Sequence, residues 1–312
     1  WYFYRDGKPA NKVGDWWDIV DLDFSKDYAL WDELIDVLVF YAKLGVDGYR
    51  CDVASLVPID FWLKAREKVK EINEDFIWLA ESVHPGFIKY IRDNGFLAQS
   101  DCEMYQAFDI LYDYDIFDYF TDYLTKKGDL KSYLEAVKRQ ETTYPANYCK
   151  LRFLENHDQK RIASLVSSKE ELIMWTAFIF FVKGAVMIYA GQEAINTHQP
   201  SLFDIDKVDW SEYKTNNLNE LVIKLSSMKK DPIMSTGIFN IVDNNHKDLI
   251  IMTYENENKI RYGIFNVGLE NIILNIEIED SEYLNFVNSG KVIVNNHKIV
   301  VNNVPLIFDI IK

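Results

Sequence analysis

The chain has 312 residues, of which 48% are hydrophobic and 27% are charged, and its formal net charge is −15. This length and composition are typical of a soluble globular protein with one large domain and one small domain. The acidic balance argues against a nucleic-acid partner, which needs a basic face, and the apolar runs are too short to span a membrane, so neither partner is expected.

The first part of the chain alternates predicted helices with short apolar strands. Residues 1–24 are rich in aromatic side chains and irregular, which indicates a loop excursion rather than a repeating unit. Apolar periodicity predicts a helix over 25–44 and another over 58–72. Short apolar runs predict buried strands that end at Asp52 and at Glu81.

The middle of the chain continues the alternation with longer spacings. Its predicted elements are a possible strand at 103–108, a helical region over 110–140 broken at Gly128, a strand at 150–155, a helix at 170–182, a strand at 185–190 and a helix at 216–229. Alternating strands and helices predict a parallel sheet with crossover helices.

Three acidic residues lie at or just beyond the ends of predicted strands. They are Asp52, Glu81 and Asp158. In a (β/α) barrel the carboxyl ends of the strands meet at one face, so we expect these side chains to converge. Converging carboxylates suit a reaction that passes through a positive centre, and glycoside hydrolysis is the leading example.

The sequence pattern changes after residue 232, from alternating helices and strands to strands and turns. Strand-like runs separated by Asn, Asp and Gly turns predict a small antiparallel β-sandwich. The predicted domains are an aromatic segment at 1–24, a catalytic (β/α) barrel portion at 25–232 and a sandwich at 233–312. The predicted β-rich runs of the sandwich lie at 237–242, 249–254, 260–267, 272–278 and 292–308, and residues 295–297 fall in a hairpin-like stretch.

Cysteine usage bears on the expected cellular compartment. Cys51, Cys102 and Cys149 are odd in number and widely spaced, which indicates neither a zinc motif nor a disulfide framework. Free and mostly buried thiols are therefore predicted. They favour a reducing compartment, so we expect a cytoplasmic location rather than secretion.

Four segments together resemble the α-amylase family of glycoside hydrolases. They are 45–53 (GVDGYRCDV), 78–81 (WLAE), 153–158 (FLENHD) and 188–193 (IYAGQE), and they occur in the family's order. The resemblance implies an α/β fold with strands 4–8 of a (β/α)8 TIM barrel followed by the sandwich. A closed barrel needs eight such units. We therefore expect open barrel edges that favour self-association and reduce the turnover of this chain by itself.

The resemblance also implies catalytic roles. Asp52 would be the nucleophile that forms a glycosyl-enzyme, and Glu81 would be the general acid and then the general base. Asp158 would hold sugar hydroxyls and stabilise the oxocarbenium-like transition state. A retaining pair stands about 5–5.5 Å apart. We expect desolvation and nearby negative charge to raise the pKa of Glu81.

Four further residues are predicted to bind substrate. Arg50 points to the same side of its strand as Asp52 and would keep that carboxylate ionised. His157 would donate to sugar hydroxyls. Asn156 would bind sugar or only shape the turn, and His84 would line the cleft or be a loop histidine without a role.

Two departures from the family pattern bear on specificity. Ser55-Leu56 stand where many α-amylases have Lys-His, and the expected earlier segment with a sugar-binding histidine has no counterpart before Asp52. Val53 directly after Asp52 is reminiscent of members that cleave α-1,6 linkages.

The predicted function is retaining hydrolysis of starch-like glucans or maltodextrins. Its alternatives are an α-1,6-glucosidase, a glucan transferase of the same family, or an inactive fragment with a glucan-binding or structural role. No cofactor is predicted. Calcium is an expectation for the complete protein, but its ligands are not identified in this sequence.

Overall fold

The structure is a computed structural model that describes residues 1–14, 16, 18–25 and 28–312. The chain divides into two compact units. The first unit comprises residues 1–118 and 139–151, and the second comprises residues 119–138 and 152–312.

Helices and strands alternate through the first 236 residues. An antiparallel hairpin, β1 (Tyr4–Arg5) and β2 (Lys8–Pro9), comes first. The following elements are α1 (Tyr28–Lys43), β3 (Gly48–Cys51), α2 (Ile59–Lys70), β4 (Ile77–Ala80), α3 (Pro85–Asp93), α4 (Asp101–Met104), β5 (Ile110–Tyr112), α5 (Tyr114–Leu124), α6 (Leu130–Thr143), β6 (Lys150–Arg152), α7 (Lys169–Phe181), β7 (Ala185–Val186), α8 (Asn219–Lys229) and α9 (Ile233–Thr236).

The predicted parallel sheet is confirmed. Five strands lie in the order β3-β4-β5-β6-β7, which is the chain order expected for part of a (β/α)8 barrel. Cys51 is paired with Ala80 in the parallel register of β3 and β4. Asp52 and Glu81 each follow a member of that pair, so the register brings them to the same edge of the sheet.

The buried face of α1 and a close approach at Gly48 determine how β3 packs against its neighbours. Leu30, Trp31 and Ile35 are buried on one face of α1, as the apolar periodicity predicts, and Trp31 packs edge-on against Phe61 of α2. The strands themselves approach closely at Gly48, where an added Cβ would lie 2.5 Å from the carbonyl oxygen of Ile77. A larger residue at that position would push β3 away from β4.

The C-terminal strands form two antiparallel sheets within the second unit, as predicted. Their orders are β15-β10-β9-β8 and β11-β14-β13-β12, and a shared apolar cluster includes Leu249, Ile264 and Val294. The strands are β8 (Ile238–Val242), β9 (Leu249–Glu255), β10 (Lys259–Asn266), β11 (Ile272–Asn275), β12 (Ser281–Leu284), β13 (Lys291–Asn295), β14 (Lys298–Val301) and β15 (Leu306–Ile311).

Some predicted elements are wrong. Residues 103–108 contain no strand, because Ser100 and Glu103 form a capping box that begins the short helix α4. The predicted helical region over 110–140 begins with the strand β5 and continues as two helices separated near Gly128. The helix predicted to start at residue 25 begins, among described residues, at Tyr28, and the intervening residues 26 and 27 lie outside the description.

Two further expectations concern the burial of the cysteines and the absence of a membrane span. All three cysteines are free thiols, with Cys51 buried, Cys149 partly buried and Cys102 exposed. Burial is therefore a wrong prediction for Cys102. Among the described helices, none has the length and apolar character needed to cross a membrane.

Candidate active site

The carboxyl ends of β3 and β4 in the first unit place two carboxylates on one guanidinium. Nη1 of Arg50 forms an ion pair with Oδ1 of Asp52, and its Nη2 lies 2.9 Å from Oε2 of Glu81. The Asp52 side chain is 74% exposed, whereas that of Glu81 is 9% exposed. The two acids thus share a cation but differ sharply in solvation.

The environment of Arg50 favours the charged form of its guanidinium. Partial burial lowers the pKa of Arg50, but the hydrogen bond to Tyr112 and the negative charge of Glu81 outweigh it, so the pKa lies above the ordinary arginine value. The guanidinium also lies over the Tyr112 ring, 5.6 Å from its centroid. Arg50 is therefore a fixed cation between two strand ends.

Val53 directs a backbone donor at Glu81. Its N–H donates to Oε2 of Glu81 at 2.9 Å. Val53 has φ 43° and ψ 38°, a left-handed conformation that β-branched residues rarely adopt. Strain of this kind persists where surrounding contacts enforce it, and here the Ala54 N–H donates to the Glu81 carbonyl oxygen at 3.1 Å. Sequence patterns gave no sign of this backbone contribution.

His84 is held by neighbours of its own unit. Its ring stacks on Tyr114 with centroids 4.5 Å apart, and Nδ1 lies 3.4 Å from Oδ1 of Asp118. The side chain keeps 33% exposure. These contacts fix the imidazole just before α3, and they give His84 a packing role whether or not it touches substrate.

The second unit carries the other predicted site residues, in the loop after β6. Nε2 of His157 lies 3.2 Å from Oδ2 of Asp158, and both side chains are partly exposed. Asn156 is 1% exposed. Its Oδ1 accepts hydrogen bonds from the backbone N–H groups of Asp158 at 2.9 Å and Gln159 at 3.0 Å. Asn156 therefore shapes the turn that presents His157 and Asp158.

Sequence reasoning missed a buried ion pair beneath this turn. Nη1 of Arg161 lies 2.6 Å from Oε1 of Glu155, and both side chains are almost fully buried. Burial raises the pKa of Glu155 despite the opposing effect of Arg161. The Arg161 guanidinium also lies 4.4 Å from the centroid of the Tyr189 ring. A glutamate inside an otherwise apolar run was the available signal that a buried cation must pair with it.

A second missed cluster surrounds the side chain of Lys150 in the first unit. The fully buried ammonium forms ion pairs with Asp101 and with Asp115, the latter at 2.7 Å, and donates to the Tyr112 carbonyl oxygen at 3.2 Å. Burial lowers the pKa of Lys150, but the charges of the two aspartates outweigh it and raise the pKa. The Ser82 hydroxyl donates to the same carbonyl oxygen at 3.1 Å, so the cluster meets the residue that follows Glu81.

We expect Lys150→Met to destabilise the protein by roughly 3–5 kcal/mol, because it leaves two buried carboxylates without their cation. Lys64→Met is a matched control, since Lys64 pairs with Asp32 at 2.5 Å on the exposed surface. That change should cost about 0–1 kcal/mol. Urea unfolding followed by circular dichroism gives both values. Equal losses in the two variants would contradict the account of the buried cluster.

Comparison with known proteins identifies the family. The α-amylase catalytic domain matches residues 15–238, and the bacterial α-amylase C-terminal domain matches residues 237–308. The chain belongs to the α-amylase family. Members of this family are glycoside hydrolases and related transferases that act on α-glucans. The predicted domain limits at 24 and 232 stay predictions.

Two solved structures are similar over almost the whole chain. An α-amylase from Lactobacillus plantarum has 37% identity and a TM-score of 0.94, covering 99% of this chain and 72% of its own. A maltogenic α-amylase from Thermotoga neapolitana has 32% identity and a TM-score of 0.84, covering 100% of this chain and 72% of its own.

Sequence relatives carry several different activities in their names. The α-amylase MalA of Haloarcula japonica is 28% identical over 62% of this chain, and the α-1,4-glucan:maltose-1-phosphate maltosyltransferase of Picrophilus torridus is 23% identical over 83%. An intracellular maltogenic amylase of Bacillus subtilis is 22% identical over 79%. The chain spans 26%, 40% and 41% of these three relatives.

Proposed function

We propose that this chain catalyses retaining hydrolysis of α-glucosidic bonds in starch-like glucans or maltodextrins. The observation that carries the proposal is the bridge made by Arg50 between Asp52 and Glu81 at adjacent strand ends. One guanidinium that contacts both acids keeps them close together. A nearby pair of carboxylates is what retention of the anomeric configuration requires.

The proposed reaction uses the two acids in sequence. Asp52 attacks the anomeric carbon and forms a glycosyl ester, while Glu81 gives its proton to the departing glycosidic oxygen. Glu81, now ionised, takes a proton from water, and that water cleaves the ester and releases Asp52. The exposure of Asp52 suits a nucleophile that must reach substrate. The expectation of a raised pKa for Glu81 stays a prediction.

The second unit supplies the proposed sugar ligands. Asp158 would accept hydrogen bonds from sugar hydroxyls, and His157 would donate to them. Asn156 supports both by holding their turn, which is the role that its buried hydrogen bonds favour. No residue of this group is proposed to bind a cofactor, and calcium binding stays a prediction.

Three alternatives remain distinct proposals. Val53 favours an α-1,6-glucosidase by its resemblance to members with that specificity, and the maltosyltransferases among the relatives favour a glucan transferase. A non-catalytic, glucan-binding role is the other class. It is supported by the edge positions of β3 and β7 in the five-stranded sheet, because a sheet edge is a surface at which copies of a chain can associate.

The decisive experiment measures products from soluble starch, isomaltose and maltotriose. We expect reducing ends to be released from starch, with the α-anomer appearing first in the proton NMR spectrum. Faster cleavage of isomaltose would favour the α-1,6-glucosidase, and disproportionation of maltotriose into longer chains would favour the transferase. Glucan binding without any cleavage would reject the hydrolase and leave the binding role. The expected cytoplasmic location stays a prediction.

A further inference from the structure

The two acids beside Arg50 restrain its guanidinium unequally. An arginine side chain has several rotatable bonds, and holding it in one conformation costs entropy. Asp52 restrains it weakly, because that carboxylate is 74% exposed and exposed ion pairs contribute little. Glu81 is 9% exposed and is the better anchor, but its Oε2 also accepts the Val53 N–H. A third contact would therefore decide in which direction the guanidinium points.

Tyr112 lies level with the two acids, at the end of the next strand of the same unit. The parallel register pairs Ala80 with Leu111, so Glu81 and Tyr112 each follow a member of that pair. Asp52 and Glu81 follow a pair of β3 and β4 in the same way. Residues at the same level of neighbouring parallel strands project from the same face of a sheet. The ends of β3, β4 and β5 therefore present two carboxylates and a phenol in one row.

The Tyr112 side chain contacts Arg50 in two ways. The guanidinium forms a hydrogen bond with the phenol, and it lies over the ring, 5.6 Å from the centroid. Because a guanidinium has donors only, the phenol oxygen is the acceptor. Tyr112 is 4% exposed, so little water competes for this hydrogen bond. The phenol thus supplies a directional contact that the exposed carboxylate of Asp52 does not.

Tyr112 is itself fixed by buried neighbours. Its carbonyl oxygen accepts a hydrogen bond from Nζ of Lys150 at 3.2 Å and another from the hydroxyl of Ser82 at 3.1 Å. Its ring contacts that of Tyr114, with the centroids 5.5 Å apart. Lys150 and Ser82 are both fully buried. Because the backbone and the ring of Tyr112 are both held, its phenol oxygen is a fixed point for a flexible arginine.

We propose that Tyr112 is a positioning residue, which holds the Arg50 guanidinium where it contacts Asp52 and Glu81 at once. The inference rests on the proposed function, because it takes those two acids to be the reacting groups. Tyr112 acts through Arg50 and not on the substrate. Without the phenol oxygen, the guanidinium keeps its charge but turns toward the exposed Asp52 and loses its contact with Glu81.

The first test removes the acceptor and keeps the ring. Tyr112→Phe should lower kcat on starch by about 10- to 100-fold, the range expected for one lost hydrogen bond to a charged group. KM should stay within about twofold of the parent, because the contact acts on the chemical step. Tyr148→Phe is the matched control, since Tyr148 is 3% exposed in the same unit and its hydroxyl donates to Oε1 of Glu141 at 2.6 Å. The control should leave kcat and KM unchanged, and thermal melts verify that both variants are folded.

A double-mutant cycle with Arg50→Lys tests whether Tyr112 acts through the arginine. An ammonium lacks the planar fork with which a guanidinium can meet several acceptors at once. In the Arg50→Lys background, Tyr112→Phe should lower kcat by less than about twofold further, because the contact that it removes is already lost.

Three outcomes would overturn the inference while the parent still cleaves starch and the proposed function stands. The first is an equal loss of kcat from Tyr112→Phe in both backgrounds, and the second is a parent-like kcat in Tyr112→Phe. The third is a raised KM with unchanged kcat, which would make Tyr112 a substrate-binding residue. No starch cleavage by the parent would refute the proposed function and the inference together.

Discussion

Asp52→Asn should lower kcat on starch by on the order of 10⁴-fold or more, with the fold intact. The amide is nearly the same size as the carboxylate, but it is too weak a nucleophile to form the glycosyl ester. Since the Asp52 side chain is 74% exposed, its replacement removes little packing. Reducing-sugar release measures the loss, and circular dichroism with a thermal melt verifies the fold.

A matched control for Asp52 is available nearby. Asp60 is an exposed carboxylate in the first turn of α2, and Asp60→Asn should leave kcat essentially unchanged. If Asp52→Asn retained activity within tenfold of the parent, Asp52 would be removed from the nucleophile role. The bridge from Arg50 would then be a structural ion pair only.

Glu81→Gln should lower kcat/KM on starch by about 10²–10⁴-fold, the range typical of a lost general acid. The glutamine oxygen can still accept from the Val53 N–H and from Arg50, so the strand end should keep its geometry. α-Glucosyl fluoride separates this role from that of Asp52. Fluoride leaves without protonation, so glycosylation by Glu81→Gln should be nearly normal with this substrate, whereas Asp52→Asn should fail with both.

The pH dependence gives a second readout for Glu81. Activity of the parent on starch should fall as the pH rises through the pKa of the acid, because the proton is then lost before it can be donated. Glu81→Gln should lack that limb of the profile. Equal losses in the rate of glycosylation by starch and by the fluoride would contradict the general-acid role, and an unchanged alkaline limb would assign that titration to another group.

Site residues could be predicted from the sequence where neighbouring residues along the chain carry the signal. An apolar run that ends in an acid marks a strand end, and this reasoning located Asp52 and Glu81 without knowledge of the fold. The pairing of Cys51 with Ala80, which brings those acids to one edge, is set by the assembled sheet. Strand β5 was missed because three residues are too few for any periodicity to separate strand from helix.

Other features depend on partners far apart in the sequence. Lys150 meets Asp101 and Asp115 across separations of 49 and 35 residues, so nothing local distinguishes it from a surface lysine. Asn156 was ambiguous because both readings fit an Asn before a histidine, and its burial now favours the turn. The 89% exposure of Phe203 contradicts the average tendency of Phe to be buried, so only the structure could reveal it.

The aromatic N-terminal segment was only partly predictable. Within this segment Trp16 packs against Phe87, and Phe3 meets Phe96 edge-on. Trp1 and Tyr4 are instead more than half exposed. Trp17, the neighbour of Trp16 in the sequence, lies outside the described residues. Sequence periodicity cannot distinguish packed from exposed aromatic side chains here, because the aromatic run lacks a regular period.

The most direct test of the account is to trap the glycosyl-enzyme. In 5-fluoro-α-glucosyl fluoride the ring fluorine disfavours positive charge and slows both steps, while the fluoride leaving group lets the first step outrun the second. Incubation with the parent protein, proteolysis and tandem mass spectrometry should place one 5-fluoroglucosyl group on Asp52. A label on another residue, or steady starch cleavage with inversion and no adduct, would contradict a retaining mechanism centred on Asp52.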